Sequence, residues 1–123
     1  MTTDDLTALA IQMEWLAEQI TVYEEHGVSG SSPEDHRPGF KALLDAVRQG
    51  SVQAILVSDE YRLFRDARKV EVDVFIHLCQ EHHLTVITPL TVYDFSIPMC
   101  VRAFRFLCEH ESMTRYVQTA GRG

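Results

Sequence analysis

Residues 52–66, VQAILVSDEYRLFRD, join a continuous apolar run to a charged segment that carries two arginines. The run VQAILV (52–57) has the length and unbroken hydrophobicity of a strand that is buried on both faces. Arg62 and Arg65 follow directly after it. Open α/β sheets place their functional residues beyond the carboxyl ends of the strands. The stretch therefore predicts a buried strand with a functional loop at its end.

Outward from this strand, the apolar residues alternate between helical and strand spacing, in the order α-β-α-β-α-β-α. This alternation is typical of an α/β fold with a mainly parallel sheet flanked by helices. Proline at the start of the second helix and glycine at its end fit the preferences of helix termini. The spacing predicts helices over about 5–19, from Pro38 to Gly50, from Val70 to near His82 and from Ile97 onward, and strands within 20–30, at 52–57 and at 84–90.

Composition restricts the class of protein. A chain of 123 residues is long enough for one domain with a real core. No apolar run approaches the roughly 20 residues of a membrane span, and the polar start MTTDDLT is unlike a signal peptide. Three cysteines form no disulfide framework, which favours a cytoplasmic protein. With a net charge of −7, any contact with nucleic acid must come from a local basic cluster.

A wider stretch reads YEEHGVSGSSPEDHRPGFKALLDAVRQGSVQAILVSDEYRLFRD (23–66). It resembles the catalytic domain of the serine recombinases, the resolvase and invertase family that includes the large serine integrases. The shared features are an SG-containing loop, RPGF at a helix start, an apolar strand and RLxRD at the strand's end. YDFS (93–96), EHESMTR (109–115) and ALAIQMEWLAEQ (8–19) resemble the family's last strand, its long helix and its first helix.

The resemblance implies a resolvase-like three-layer fold and a DNA recombinase. Family members cut DNA by attack of a serine hydroxyl on a phosphodiester and exchange strands within a tetramer. It also implies DNA as partner, a dimer or tetramer formed through the C-terminal helix, and no cofactor or metal. Arginine suits such a site because its planar fork binds two phosphate oxygens. The implied catalytic residues are Arg37, Arg62, Arg65, Gln12 and Glu111, and the implied phosphate-binding residues are Arg37, Arg62, Arg65 and Arg68.

Two departures from the family pattern affect the expected activity. The family begins with a strand ending in Arg-x-Ser, whose serine is the nucleophile. Here Thr2 falls near that position, where a threonine without a preceding strand is poorly placed for attack. Tyr61 stands where the family carries an aspartate. We therefore expect residues 1–123 to be a single domain truncated at both ends, without its first strand or a DNA-binding module, with an oligomerisation helix starting at 97–123, and inactive by itself.

Other interpretations of the same residues remain open. Arg62 and Arg65 could be a solvated loop paired with neighbouring carboxylates. HLCQEHH (77–83) places histidines and a cysteine on one helix, but it lacks the four ligands of a closed zinc site. The chain could also be a non-catalytic partner that inhibits an intact recombinase, or a flavodoxin-like or receiver-like ligand-binding domain. The carboxylates that could pair with the arginines are those of Asp59, Glu60 and Asp66.

Overall fold

The computed structural model describes residues 2–25 and 32–109. Its order of helices and strands confirms the α/β class. Short 3-10 turns lie at Ala17–Gln19, Glu34–His36 and Glu60–Arg62. The helices are α1 (Thr3–Gln12), α2 (Pro38–Arg48), α3 (Lys69–Glu81) and α4 (Pro98–Cys108), and the strands are β1 (Ala54–Leu56), β2 (Thr85–Ile87) and β3 (Val92–Asp94).

The described sheet has three strands in the order β1-β2-β3 and is mixed. β1 runs parallel to β2, with Ile55 opposite Val86. β2 and β3 are antiparallel, with Val86 opposite Tyr93. The predicted strand 84–90 stops at Ile87 because the Thr88 hydroxyl accepts main-chain N–H groups of the following turn. Only residues 88–91 connect β2 to β3. So short a connection can only form a hairpin, which makes this pair antiparallel.

An aromatic cluster forms the centre of the core. The ring of Phe104 in α4 lies 5.8 Å from that of Phe75 in α3 and 5.1 Å from that of Phe95. Phe64, from the loop after β1, meets Phe75 edge-on at 5.3 Å. Buried aromatic rings dominate the energetics of a core of this size. The core therefore joins the helices and the sheet to the loop that carries the two arginines.

The first helix is shorter than predicted. It ends at Gln12 because Glu14 adopts a positive φ of 70°. The N–H groups of Glu14 and Trp15 donate to the carbonyls of Ile11 and Ala10, at 3.0 Å each. This hydrogen-bonding pattern is the Schellman motif, which normally uses glycine at the left-handed position. The prediction of a helix to about residue 19 was wrong, because a glutamate at the left-handed position gives no sign in the sequence that the helix ends there.

The strand predicted within 20–30 does not form in the part that the structure describes. Residues 20–25 are irregular, and the carbonyl of Glu24 lies against Gly39 at the start of α2. Residues 26–31 lie outside the described residues. So do residues 110–123, and with them most of the predicted long helix from 97 and the candidate residue Glu111. Among the described helices, none is long and apolar enough to cross a bilayer.

Candidate nucleic-acid interface

The two arginines lie on the segment Asp59–Ala67, here named the arginine loop, which follows β1. The carboxylate of Asp59 accepts the main-chain N–H of Tyr61 at 3.0 Å and so caps the 3-10 turn Glu60–Arg62. At the other end of the loop, the N–H of Ala67 donates to the carbonyl of Cys108 in α4 at 2.9 Å. Both ends of the arginine loop are therefore fixed by hydrogen bonds to the main chain.

Burial decides which side chains of the arginine loop face solvent. Leu63, Phe64 and Ala67 are buried in the core. Arg62 and Arg65 are exposed on either side of the buried pair. Burying a leucine and a phenylalanine contributes roughly 1.5–3 kcal/mol each, so the loop cannot turn over without losing this energy. The arginines are held outward by the packing of the residues between them.

Two of the neighbouring carboxylates, those of Asp59 and Glu60, are bound elsewhere. Within the described residues, the side chains of Arg62 and Arg65 form no hydrogen bond or ion pair. The carboxylate of Asp59 caps the 3-10 turn, and that of Glu60 accepts a hydrogen bond from the Tyr93 hydroxyl. As far as the described part of the chain shows, two positive charges therefore remain available to a ligand from solvent.

The third candidate arginine, Arg37, lies beneath the loop and is only 3% exposed. Its guanidinium donates through Nη2 to the carbonyl of Arg62 at 2.6 Å and through Nη1 to that of Leu63 at 2.5 Å. Its Nε donates to Oε2 of Glu25 at 3.1 Å, and the group stacks 4.1 Å above the ring of Phe40. These contacts hold the arginine loop in place. A direct contact between Arg37 and DNA phosphate stays a prediction.

The other residues around Arg37 belong to the same contact between the start of α2 and the arginine loop, here named the arginine joint. Pro38 takes the first helical position of α2. A Cβ on Gly39 would lie 2.3 Å from the carbonyl oxygen of Glu24, so only glycine allows this approach. The carboxylate of Glu25 accepts the N–H of Phe40 at 3.1 Å and thereby satisfies one of the unpaired groups at the helix start. Sequence reasoning missed Glu25, because no local pattern pairs it with α2.

The remaining candidates are spread more widely. Gln12 is exposed at the end of α1, and no hydrogen bond joins its side chain to the arginine loop among the described residues. Arg68 precedes α3 and is paired with Glu71 at 2.7 Å, although it is strongly exposed. Tyr61 lies in the exposed turn beside Arg62. Of the candidates with positions, Arg62 and Arg65 lie on the arginine loop and Arg37 contacts its main chain.

The residues of HLCQEHH are not gathered at one place in the structure. Cys79 is buried in the core, and this burial raises the pKa of its thiol to about 12. A ring nitrogen of His77 lies 3.0 Å from the main-chain carbonyl of Asp73. In the described part of the chain, no three histidine, cysteine, aspartate or glutamate side chains come together as a metal site.

Comparison with known proteins places this arrangement in a family. No solved structure matches the chain. The family model for "Resolvase, N terminal domain" matches residues 2–111, a span that contains both RPGF and the arginine loop. The order of motifs in the sequence and the joint between Arg37 and the loop fall within this span. The chain therefore belongs to the resolvase N-terminal domain family, which provides the catalytic domain of serine recombinases.

Proposed function

We propose that this domain acts in site-specific DNA recombination and that Arg62 and Arg65 bind phosphates of the DNA backbone. The observation that carries the proposal is the pair of exposed arginines on a fixed loop, for which the described residues provide no carboxylate partner. Guanidinium groups bind phosphate oxygens bidentately and stay charged at any working pH. Because the loop is already ordered, little conformational entropy is lost when DNA binds.

The chemistry of the family gives these arginines a role beyond binding. When a serine attacks a phosphodiester, negative charge develops on the non-bridging oxygens in the transition state. Preorganised positive groups stabilise that charge more than they stabilise the substrate. Arg62 and Arg65 have the exposure and the fixed attachment that this role requires. Arg68, whose pairing with Glu71 is at the surface and worth little, can add a weaker phosphate contact.

Self-association through α4 belongs to the same proposal. Ile97 and Met99, at the start of α4, are 47% and 69% exposed although they are apolar. Apolar side chains on an exposed helix face are typical of interaction surfaces. We propose that this face contributes to a dimer or tetramer in the cytoplasm. A Met99→Glu variant that lowers the molar mass measured by light scattering would support this, and an unchanged mass would contradict it.

The test of the DNA contact is binding of a fluorescently labelled DNA duplex to the 123-residue chain, measured by anisotropy at several salt concentrations. Arg62→Ala and Arg65→Ala should each weaken binding on every DNA sequence and reduce the salt slope by about 1. Arg102→Ala removes an exposed arginine of α4 and serves as the matched control. Anisotropy measures the contact with DNA, so the assay tests the phosphate contact independently of cleavage.

Three results would contradict the proposal. Absence of binding at low salt would show that the arginine loop does not bind DNA phosphate. An equal loss of affinity in all three variants would show that only total charge matters, and not the arginine loop. Normal binding by Arg62→Ala together with saturable binding of a nucleotide would favour the receiver-like alternative instead.

A further inference from the structure

We infer that Glu60 and Tyr93 are a pair of positioning residues that orient Arg62 towards phosphate. The inference rests on the proposed phosphate contact of Arg62. The hydroxyl of Tyr93 donates to the Oε2 atom of Glu60, across 33 positions of sequence. Neither side chain is among the residues to which the recombinase resemblance assigns a role.

Glu60 begins the 3-10 turn that carries Arg62, and it controls the geometry of that turn. Its main-chain carbonyl accepts the N–H groups of Leu63 and Phe64, at 3.0 Å each. Its carboxylate is bound by Tyr93. One residue thus connects the backbone of the arginine loop to the interior of the domain.

Tyr93 is a rigid anchor for this connection. It belongs to β3, and its side chain is only 2% exposed. Its ring packs edge-on against Phe104 at 5.3 Å and stacks on Phe95 at 6.1 Å. Since the ring cannot move without disturbing the core, the position of its hydroxyl is fixed. The carboxylate of Glu60 takes its position from the sheet.

The Glu60 carboxylate, bound at Tyr93, also affects the titratable groups of the core around it. The pKa of the buried Cys108 thiol is raised, first by burial and then by the charges of Glu60 and Glu109. Burial and the hydrogen bond to Glu60 also raise the pKa of the Tyr93 hydroxyl, which keeps it a donor at neutral pH. With its carboxylate bound here, Glu60 does not pair with Arg62.

The pair acts together with Arg37, which holds the same turn from α2. Arg37 binds the carbonyls of Arg62 and Leu63, whereas Tyr93 binds the side chain at the start of the turn. Two attachments prevent the turn from rotating about either one. Of these two attachments, removal of the Tyr93 hydroxyl leaves only that of Arg37, and Arg62 then samples orientations that do not meet a phosphate.

The experiment uses the 123-residue chain, the labelled DNA duplex and three variants. Tyr93→Phe removes only the hydroxyl, and Glu60→Ala removes the carboxylate. Glu60→Gln removes the charge but keeps an oxygen that can accept from Tyr93. We expect Tyr93→Phe and Glu60→Ala to weaken DNA binding by about two- to tenfold, the range that one hydrogen bond is worth. We expect Glu60→Gln to bind at least as tightly as the wild type.

The contrast between Glu60→Ala and Glu60→Gln separates positioning from charge. Both remove one negative charge near the DNA, so a purely electrostatic role predicts that both bind more tightly and equally. Amide hydrogen exchange gives a readout without DNA: exchange at Leu63 and Phe64 should be faster in Glu60→Ala and near normal in Glu60→Gln. Ser51→Ala, which removes an exposed hydroxyl that donates to the carbonyl of Ala46 outside the arginine loop, should change neither readout.

The outcomes distinguish this inference from the proposed function. If the wild type binds DNA and Arg62→Ala weakens binding, but Tyr93→Phe binds like the wild type, the positioning role is overturned and the phosphate contact stands. If Glu60→Ala and Glu60→Gln bind equally, the positioning role is overturned as well. If the wild type does not bind DNA at all, the proposed function fails, and the positioning role fails with it.

Discussion

The side chain of Arg37 holds Arg62 by its main-chain carbonyl, at 2.6 Å. The two residues are 25 positions apart, and they belong to the two motifs, RPGF and RLxRD, that most strongly suggest a recombinase. In the structure these motifs form a single joint. One arginine is buried and orders the loop, while the other is exposed at the surface. Residues of the same type therefore have different tasks in one site.

Replacement of Arg37 by methionine should lower the free energy of unfolding by about 3 kcal/mol or more. The change leaves a half-buried carboxylate without its partner and two carbonyls without donors. Arg48→Met is the matched control, because Arg48 pairs with Glu34 at the surface, where such pairs contribute about 0–1 kcal/mol. Urea unfolding measures both changes. Equal losses in the two variants would contradict the role of Arg37.

Two glycine substitutions should destabilise the protein for different reasons. Gly39→Ala places a Cβ 2.3 Å from the carbonyl oxygen of Glu24, so the chain before the arginine joint must move. Gly50→Ala meets no atom within 4 Å but forces alanine to a φ of 78°, which costs roughly 1–2 kcal/mol. We expect Gly39→Ala to be the more damaging by urea unfolding. It alone should also weaken DNA binding, and the reverse order would contradict this account.

A glycine at position 83 should stabilise the protein. His83 follows α3 with a positive φ of 53°, and the N–H of Leu84 donates to the carbonyl of Cys79 at 3.0 Å. His83→Gly relieves the strain of this conformation, for a gain of up to about 1 kcal/mol. The adjacent His82 has a φ of −96°, so His82→Gly should lower stability instead. Thermal unfolding of the two variants should shift in opposite directions.

Stability should fall at alkaline pH. Burial raises the pKa of the Cys79 thiol from 9.0 to about 12. Between these values the unfolded chain loses the thiol proton and the folded chain keeps it, so the free energy of unfolding decreases as pH rises. The slope should approach about 1.4 kcal/mol per pH unit for this thiol. Urea unfolding of Cys79→Ala should show a shallower slope above about pH 9, and an identical slope would contradict the assignment.

Sequence reasoning located those parts of the fold that carry local signals. Pro38 and the glycine at position 50 mark the ends of α2, and the apolar run at 52–57 contains β1. It failed at Glu14, because a glutamate in a left-handed conformation gives no sign that a helix stops there. It also failed at residues 20–25, whose alternating pattern suggested a strand, because packing against α2 overrides that preference.

The site was predictable only in part for a similar reason. The exposure of Arg62 and Arg65 follows from the apolar residues that separate them, and these are visible in the sequence. The acceptors of Arg37 are main-chain carbonyls, which every residue has, so no pattern of side chains identifies them. The contact between Glu60 and Tyr93 spans 33 positions and depends on how β3 returns beside β2. Such contacts need the fold before they can be found.

Arg37 binds the arginine loop through main-chain carbonyl groups, and this affects how the site can change over evolutionary time. A carbonyl is the same whichever side chain its residue carries. Mutations at the exposed positions of the turn can therefore alter what the loop recognises while its shape is inherited intact. Tyr61, 49% exposed in a turn whose backbone is secured by other residues, is at one such position. The exposed side chains of the turn can therefore diversify, whereas the buried contacts of Arg37 with the main chain must be kept.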